Sequence, residues 1–197
     1  MSTAPRILTA RRAFSAAAAL LLATGLAGCS LVQTAPPPEL TGLAKCALGS
    51  TWKLDTAKLA EAVQAELGSR GVGATVAAEG SQTLTWGLDS AMALDTDYTL
   101  TFTSGPDDQK TVVTDKHSGE SGGIAYINSD VAIPRNWDAS GLNVKTTATL
   151  NGAELESLPY TLVPTDIDDS VGIELTCDGS TLTTHQRGSE LTLTWTK

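Results

Sequence analysis

From Val72 to Trp195 apolar residues return at alternate positions in run after run, with threonine, serine and charged residues between them. A period of two places one set of side chains on each face of a β-strand, and a helix cannot bury such a pattern on a single stripe. Val72, Ala74, Val76 and Ala78 form one set, and Gln82, Leu84, Trp86 and Leu88 the next, with a turn expected at Glu79-Gly80-Ser81. Ala91 to Leu94 reads as a short strand, followed by a turn over Asp95-Thr96-Asp97 whose carboxylates are solvated. Tyr98, Leu100 and Phe102 then share a face opposite Thr99, Thr101 and Thr103. Threonine on the wet face suits strand geometry because its branched carbon packs on a pleated surface.

The rest of the chain continues in the same style. Gly105-Pro106-Asp107-Asp108 is a turn, Lys110 to His117 a less amphipathic strand, and a Gly-rich stretch precedes Ile124, Tyr126 and Asn128. Val131 to Ile133 reads as a short edge strand, and the loop after it holds Pro134, Arg135, Asn136 and Trp137. Leu142 to Leu150 alternates again, up to a tight hairpin turn at Asn151-Gly152. Leu155 to Val163 reads as a strand broken at Pro159, and Pro164 to Ser170 as a polar loop. Val171, Ile173, Leu175 and Cys177 alternate, Leu182 marks a following strand, and Leu191, Leu193 and Trp195 close the pattern.

One helix interrupts the strands. After a first strand at Gly49 to Leu54, Asp55 is an N-cap for a helix reaching about Leu67, with Leu59, Ala62, Val63 and Leu67 on its apolar face. The expected fold is therefore mainly β: a single antiparallel barrel-like domain of about ten strands with one early α-helix. Closing the sheet removes its edges, although a two-sheet sandwich satisfies the same alternation.

The first 28 residues follow different rules. Arg6, Arg11 and Arg12 precede an apolar run of Ala and Leu from Ala16, too short and diluted for a span of roughly 20 apolar residues. This is the layout of an export signal. Leu26-Ala27-Gly28-Cys29 resembles the lipobox of bacterial lipoproteins. That resemblance implies cleavage before Cys29, a diacylglyceryl thioether on its sulfur, and a lipid anchor on the extracytoplasmic face of the cell membrane. Ala10-Arg11-Arg12-Ala13-Phe14 is also similar to a twin-arginine motif, without the Ser or Thr that usually precedes the pair. The domain plan is thus 1–28 signal peptide, 29–45 lipidated N-terminus and Pro-rich tether, and 46–197 folded domain.

Charge and cysteines narrow the class further. The first 28 residues hold three of the 13 basic residues and none of the 22 acidic ones, so the formal charge falls from −9 to −12 without them. Such a surface has no attraction for nucleic acid. Abundant Ala, Thr and Gly with little lysine resembles the exported proteins of high-GC actinobacteria. With Cys29 assigned to lipid, Cys46 and Cys177 remain, and in an oxidising compartment a disulfide is the simplest reading of an even pair.

Gly49-Ser50-Thr51-Trp52-Lys53-Leu54, the early helix and the closing Thr176-Cys177-Asp178-Gly179-Ser180-Thr181-Leu182 hairpin resemble the layout of the lipocalin and fatty-acid-binding protein group. In that group the glycine and tryptophan stand closer together than Gly49 and Trp52. The resemblance implies a barrel that takes a small apolar ligand. Trp52, Trp86, Phe102 and Trp195 lie on the apolar face, where they fill the core or line a cavity. Trp137, outside the alternation, is a loop anchor or a contact site.

Catalytic signals are sparse. The chain has no His-Glu-x-x-His pair, phosphate loop or Gly-x-Ser-x-Gly elbow. His117 and His185 read as surface residues at strand ends or hairpin tips. Asp166, Asp168 and Asp169 lack the glycine and distal glutamate of a helical calcium loop. No metal site, cofactor or catalytic residue is assigned. The expected function is extracytoplasmic binding or carriage of a small hydrophobic ligand or envelope lipid; a surface interaction or structural module with a filled core, and an envelope hydrolase, are the alternatives.

Overall fold

A computed structural model describes residues 40–162, 164 and 167–197. The export segment, Cys29 with nearly all of its tether, Val163 and Asp166 lie outside the described residues. The chain runs α1 (Gly42–Ala47), β1 (Ser50–Leu54), α2 (Thr56–Ser69), β2 (Ala74–Trp86), β3 (Ala91–Ser104), a 3-10 turn at Asp107–Gln109, β4 (Thr111–Asn128), β5 (Val131–Asp138), β6 (Leu142–Leu150), β7 (Ala153–Glu154), β8 (Ile173–Cys177), β9 (Thr181–Gln186) and β10 (Thr192–Thr196). All strand pairs are antiparallel, in the order β3-β2-β1-β10-β9-β8-β5-β4-β6-β7, and β3 also pairs with β4. That last pairing brings the sheet round on itself, so the alternation belongs to a ring rather than to a sandwich.

Four strands are longer than the sequence suggests, β2, β3, β4 and β5. β2 runs through Glu79-Gly80-Ser81 without a turn, and β3 through Asp95-Thr96-Asp97. These two pair in one register from Ala74↔Ser104 to Trp86↔Met92. β4 continues through the Gly-rich stretch and divides its outer edge, with Thr111 to Gly119 facing β6 and Gly122 to Asn128 facing β5. The glycines mark bends inside strands. Gly80 (φ +99°) and Gly119 (φ +109°) sit where a Cβ would run into the carbonyl oxygens of Asp97 and Gly141. Only glycine permits that backbone and that approach, so a sheet coiled tightly enough to close has glycine here.

Helix α2 forms as its sequence requires. Asp55 Oδ1 accepts from the Lys58 N–H at 3.1 Å, and Leu59, Val63 and Leu67 are buried against β2 and β10. Helix α1 is a second helix, within and just past the segment assigned to the tether. Ala47 is fully buried, and its carbonyl accepts the indole N–H of Trp52 at 3.2 Å. The Cys46–Cys177 disulfide ties this helix to the end of β8. Strand directions place α1 at one end of the ring and α2 at the other.

Two loop assignments change. Pro134 to Trp137 belong to β5, where a register shift between Gly122 and Ile124 and the positive φ of Asn136 (+53°) break the alternation. Leu155 to Leu162 form no strand, but Tyr160 packs edge-on against Phe102 with ring centroids 6.4 Å apart. Asn151 and Gly152 both have positive φ, the hairpin geometry expected of that pair. Leu88, grouped above with the apolar face of β2, lies past its end and is 70% exposed.

Candidate functional site: a cavity inside the ring

Part of the inward face of the ring is filled by packed side chains and part of it lines a cavity. Trp52, Trp86 and Phe102 are among the largest fully buried side chains, and the Trp86 indole N–H donates to the Ala125 carbonyl at 3.2 Å. Lys197 places its ammonium 4.6 Å from the Trp52 ring centroid. None of these three aromatics lines the cavity bounded by β2, β3 and β8 to β10.

That cavity has a volume of about 610 Å³. β2 contributes Gln82 and Leu84, β3 contributes Met92 and Leu94, and β10 contributes Leu193 and Trp195. Ile173 and Thr184 complete the wall from β8 and β9. Leu162 and Ile167, from the irregular stretch between β7 and β8, supply further apolar surface. The mouth lies at the end carrying α2 and the β9–β10 turn, where Arg70, Asp168, Arg187 and Glu190 stand. Of the four aromatics singled out on the apolar face, Trp195 alone reaches this cavity.

Polar groups on the wall and mouth are mostly engaged. The Trp195 indole N–H donates to Thr184 Oγ1 at 3.0 Å, and Gln82 Nε2 donates to Thr96 Oγ1 at 2.8 Å. Gln186 Oε1 accepts from the Asp168 N–H at 2.9 Å. Arg70 Nε donates to the buried Glu66 carboxylate at 2.6 Å, and Arg187 Nε to the exposed Glu174 at 3.1 Å. Asp168 is held below the usual carboxylate range by hydrogen bonds from the Ser170 hydroxyl and N–H. Asp169 instead accepts from the Trp137 N–H at 3.4 Å, and Trp137 is half-buried against the core.

A second polar cluster lies off the cavity, between β3, β4 and β6. His117 is 4% exposed, contrary to its reading as a surface residue. Its Nε2 bonds Asp115 Oδ2 at 2.7 Å, and its ring stacks on Tyr98 with centroids 4.8 Å apart. Thr146 donates to Asp115 Oδ1 at 2.6 Å. Burial raises the Asp115 pKa, but the bonds from His117 and Thr146 and the attraction of His117 outweigh it, so the carboxyl titrates below its ordinary value. The cluster ties β6 to the ring. His117 Nδ1 and Tyr160 Oη are buried with no hydrogen-bond partner among the described residues. His185, half-buried, bonds the Leu191 carbonyl through Nδ1 at 3.1 Å, so it too is integrated into a hairpin.

Sequence reasoning passed over Gln82, Thr184, Asp115, Arg70 and Arg187. The first three carried a usable signal, since each stands in phase with buried apolar neighbours, where a polar side chain needs a partner. The arginines carried none, because they meet at the mouth from distant segments.

Comparison with protein-family models, curated proteins and solved structures finds no match for this chain.

Proposed function

We propose that this protein is a membrane-anchored lipoprotein of the extracytoplasmic face whose ring binds or carries a small hydrophobic ligand or envelope lipid. The observation that carries the reading is the cavity of about 610 Å³ inside the apolar face. Its size is that of a site for one small molecule, and Leu, Met, Ile and Trp side chains make up much of its wall, with Gln82 and Thr184 among them and charged residues at the mouth. The lipobox resemblance of Leu26-Ala27-Gly28-Cys29 supports the anchor, and the Cys46–Cys177 disulfide fits export. The layout resemblance to lipocalins supports carriage by analogy of fold, which does not by itself decide function.

Native mass spectrometry of the gently extracted protein tests this reading. Retained lipid-sized mass, lost on denaturation, is the expected result; repeated recovery of the empty chain would turn the assignment to an interaction module. One feature favours that second reading. β6 pairs with β7 only at Thr149 and Leu150, leaving its edge from Leu142 to Thr147 without a neighbouring strand among the described residues, beside an exposed Val144.

A further inference from the structure

The cavity wall carries two polar side chains whose hydrogen-bonding capacity is not spent. Gln82 is 8% exposed and stands opposite Thr96, two residues before Leu84 on the inward face of β2. Its Nε2 gives one hydrogen to Thr96, while Oε1 and the second amide hydrogen have no partner among the described residues. Exchanging the amide oxygen and nitrogen leaves a free donor instead, so either orientation keeps an unmet valence. Thr184 is also 8% exposed, three strands away round the ring. It accepts from Trp195, and its own hydroxyl hydrogen has no acceptor among the described residues.

Buried groups of this kind are costly unless something pairs with them. A purely hydrocarbon ligand would leave both unpaired and sealed from water. Among the described residues a charged head group would find no counter-ion deep in the wall, since Arg70, Asp168, Arg187 and Glu190 all stand at the mouth. A hydroxyl both donates and accepts, which is what Gln82 and Thr184 lack. We infer that the ligand is a neutral lipid alcohol, an apolar body whose hydroxyl pairs with Gln82 and, where the body presents a second oxygen, with Thr184. This rests on the carriage reading above and narrows it to a chemical class.

The test uses the purified full-length chain stripped of co-purified lipid, with displacement of the neutral dye N-phenyl-1-naphthylamine as the readout. The probes are a long-chain alcohol, its methyl ether, the alkane of equal length, the matching carboxylate, and a fused-ring sterol alcohol that separates rigid from linear bodies. The alcohol is expected to bind about tenfold more tightly than the alkane. Gln82→Leu should abolish that preference by weakening alcohol binding and tightening alkane binding, since no amide is then left unpaired. Because this substitution strands the Thr96 hydroxyl, Gln82→Leu/Thr96→Val serves as the second variant, and Thr184→Val with Thr184→Ser as its rescue probes the other group. An alcohol-to-alkane ratio that persists in both Gln82 variants, or a carboxylate that binds best, overturns the inference and leaves carriage standing. Failure of every probe to displace a bound dye, or of the dye to bind, overturns the carriage reading itself.

Discussion

Asp115 shows how a single residue couples composition to stability. Its carboxyl titrates below the ordinary value in the folded chain, so in the window between the folded and unfolded values the unfolded chain binds more protons. Stability from this group is complete above the unfolded value and is lost as pH falls through the folded one. Urea unfolding across the acid range should therefore show a limb that Asp115→Asn flattens. At neutral pH the same variant should cost about 1–3 kcal/mol, because the bonds to His117 and Thr146 weaken in a buried site. The glycines act through sterics instead. Gly80→Ala and Gly119→Ala meet both a left-handed backbone and a carbonyl oxygen, so each should lose at least about 2 kcal/mol in the same assay. Both kinds of residue were visible as anomalies in the alternation. Their meaning was not, because a turn and a bent strand use glycine alike, and a polar residue in a dry phase does not name its partner.

At the scale of elements, each end of the ring is held by a different device. Helix α1 is too short to persist alone and depends on the buried Ala47, the Trp52 indole bond and the disulfide to β8. The cross-link spans 131 residues of sequence, for which loop-closure entropy gives about 4–5 kcal/mol. Cys46→Ser/Cys177→Ser should lower the denaturation midpoint accordingly, with the same membrane fractionation as the unaltered protein. Strand β10 joins β1 to β9 and completes the ring, so removing Leu191 to Lys197 should abolish cooperative unfolding rather than trim an edge. Most strands and α2 were legible because periodicity and an N-cap are local signals. The lengths of β2, β3 and β4 were not, since no local signal reports that a neighbouring strand continues alongside.

For the molecule as a whole, position and content of the cavity are separate questions with separate tests. Cys29→Ala should move the protein from the membrane fraction to the soluble one, and continued tight membrane association would defeat the lipoprotein assignment. The chain enters the ring beside α1, while the cavity opens at the α2 end, among Arg70, Arg187 and Glu190. By itself the sequence determined the fold class, the capping residue of α2, the even pair of cysteines and which strand faces are dry, because burial of alternate residues is written into local spacing. Only the tertiary structure decided that the sheet closes into a ring, that Trp52, Trp86 and Phe102 pack into its core, and that Trp195, Gln82 and Thr184 line a cavity. Alternation tells each side chain which face to occupy; whether that face meets another side chain or a void depends on curvature summed over strands far apart in the chain.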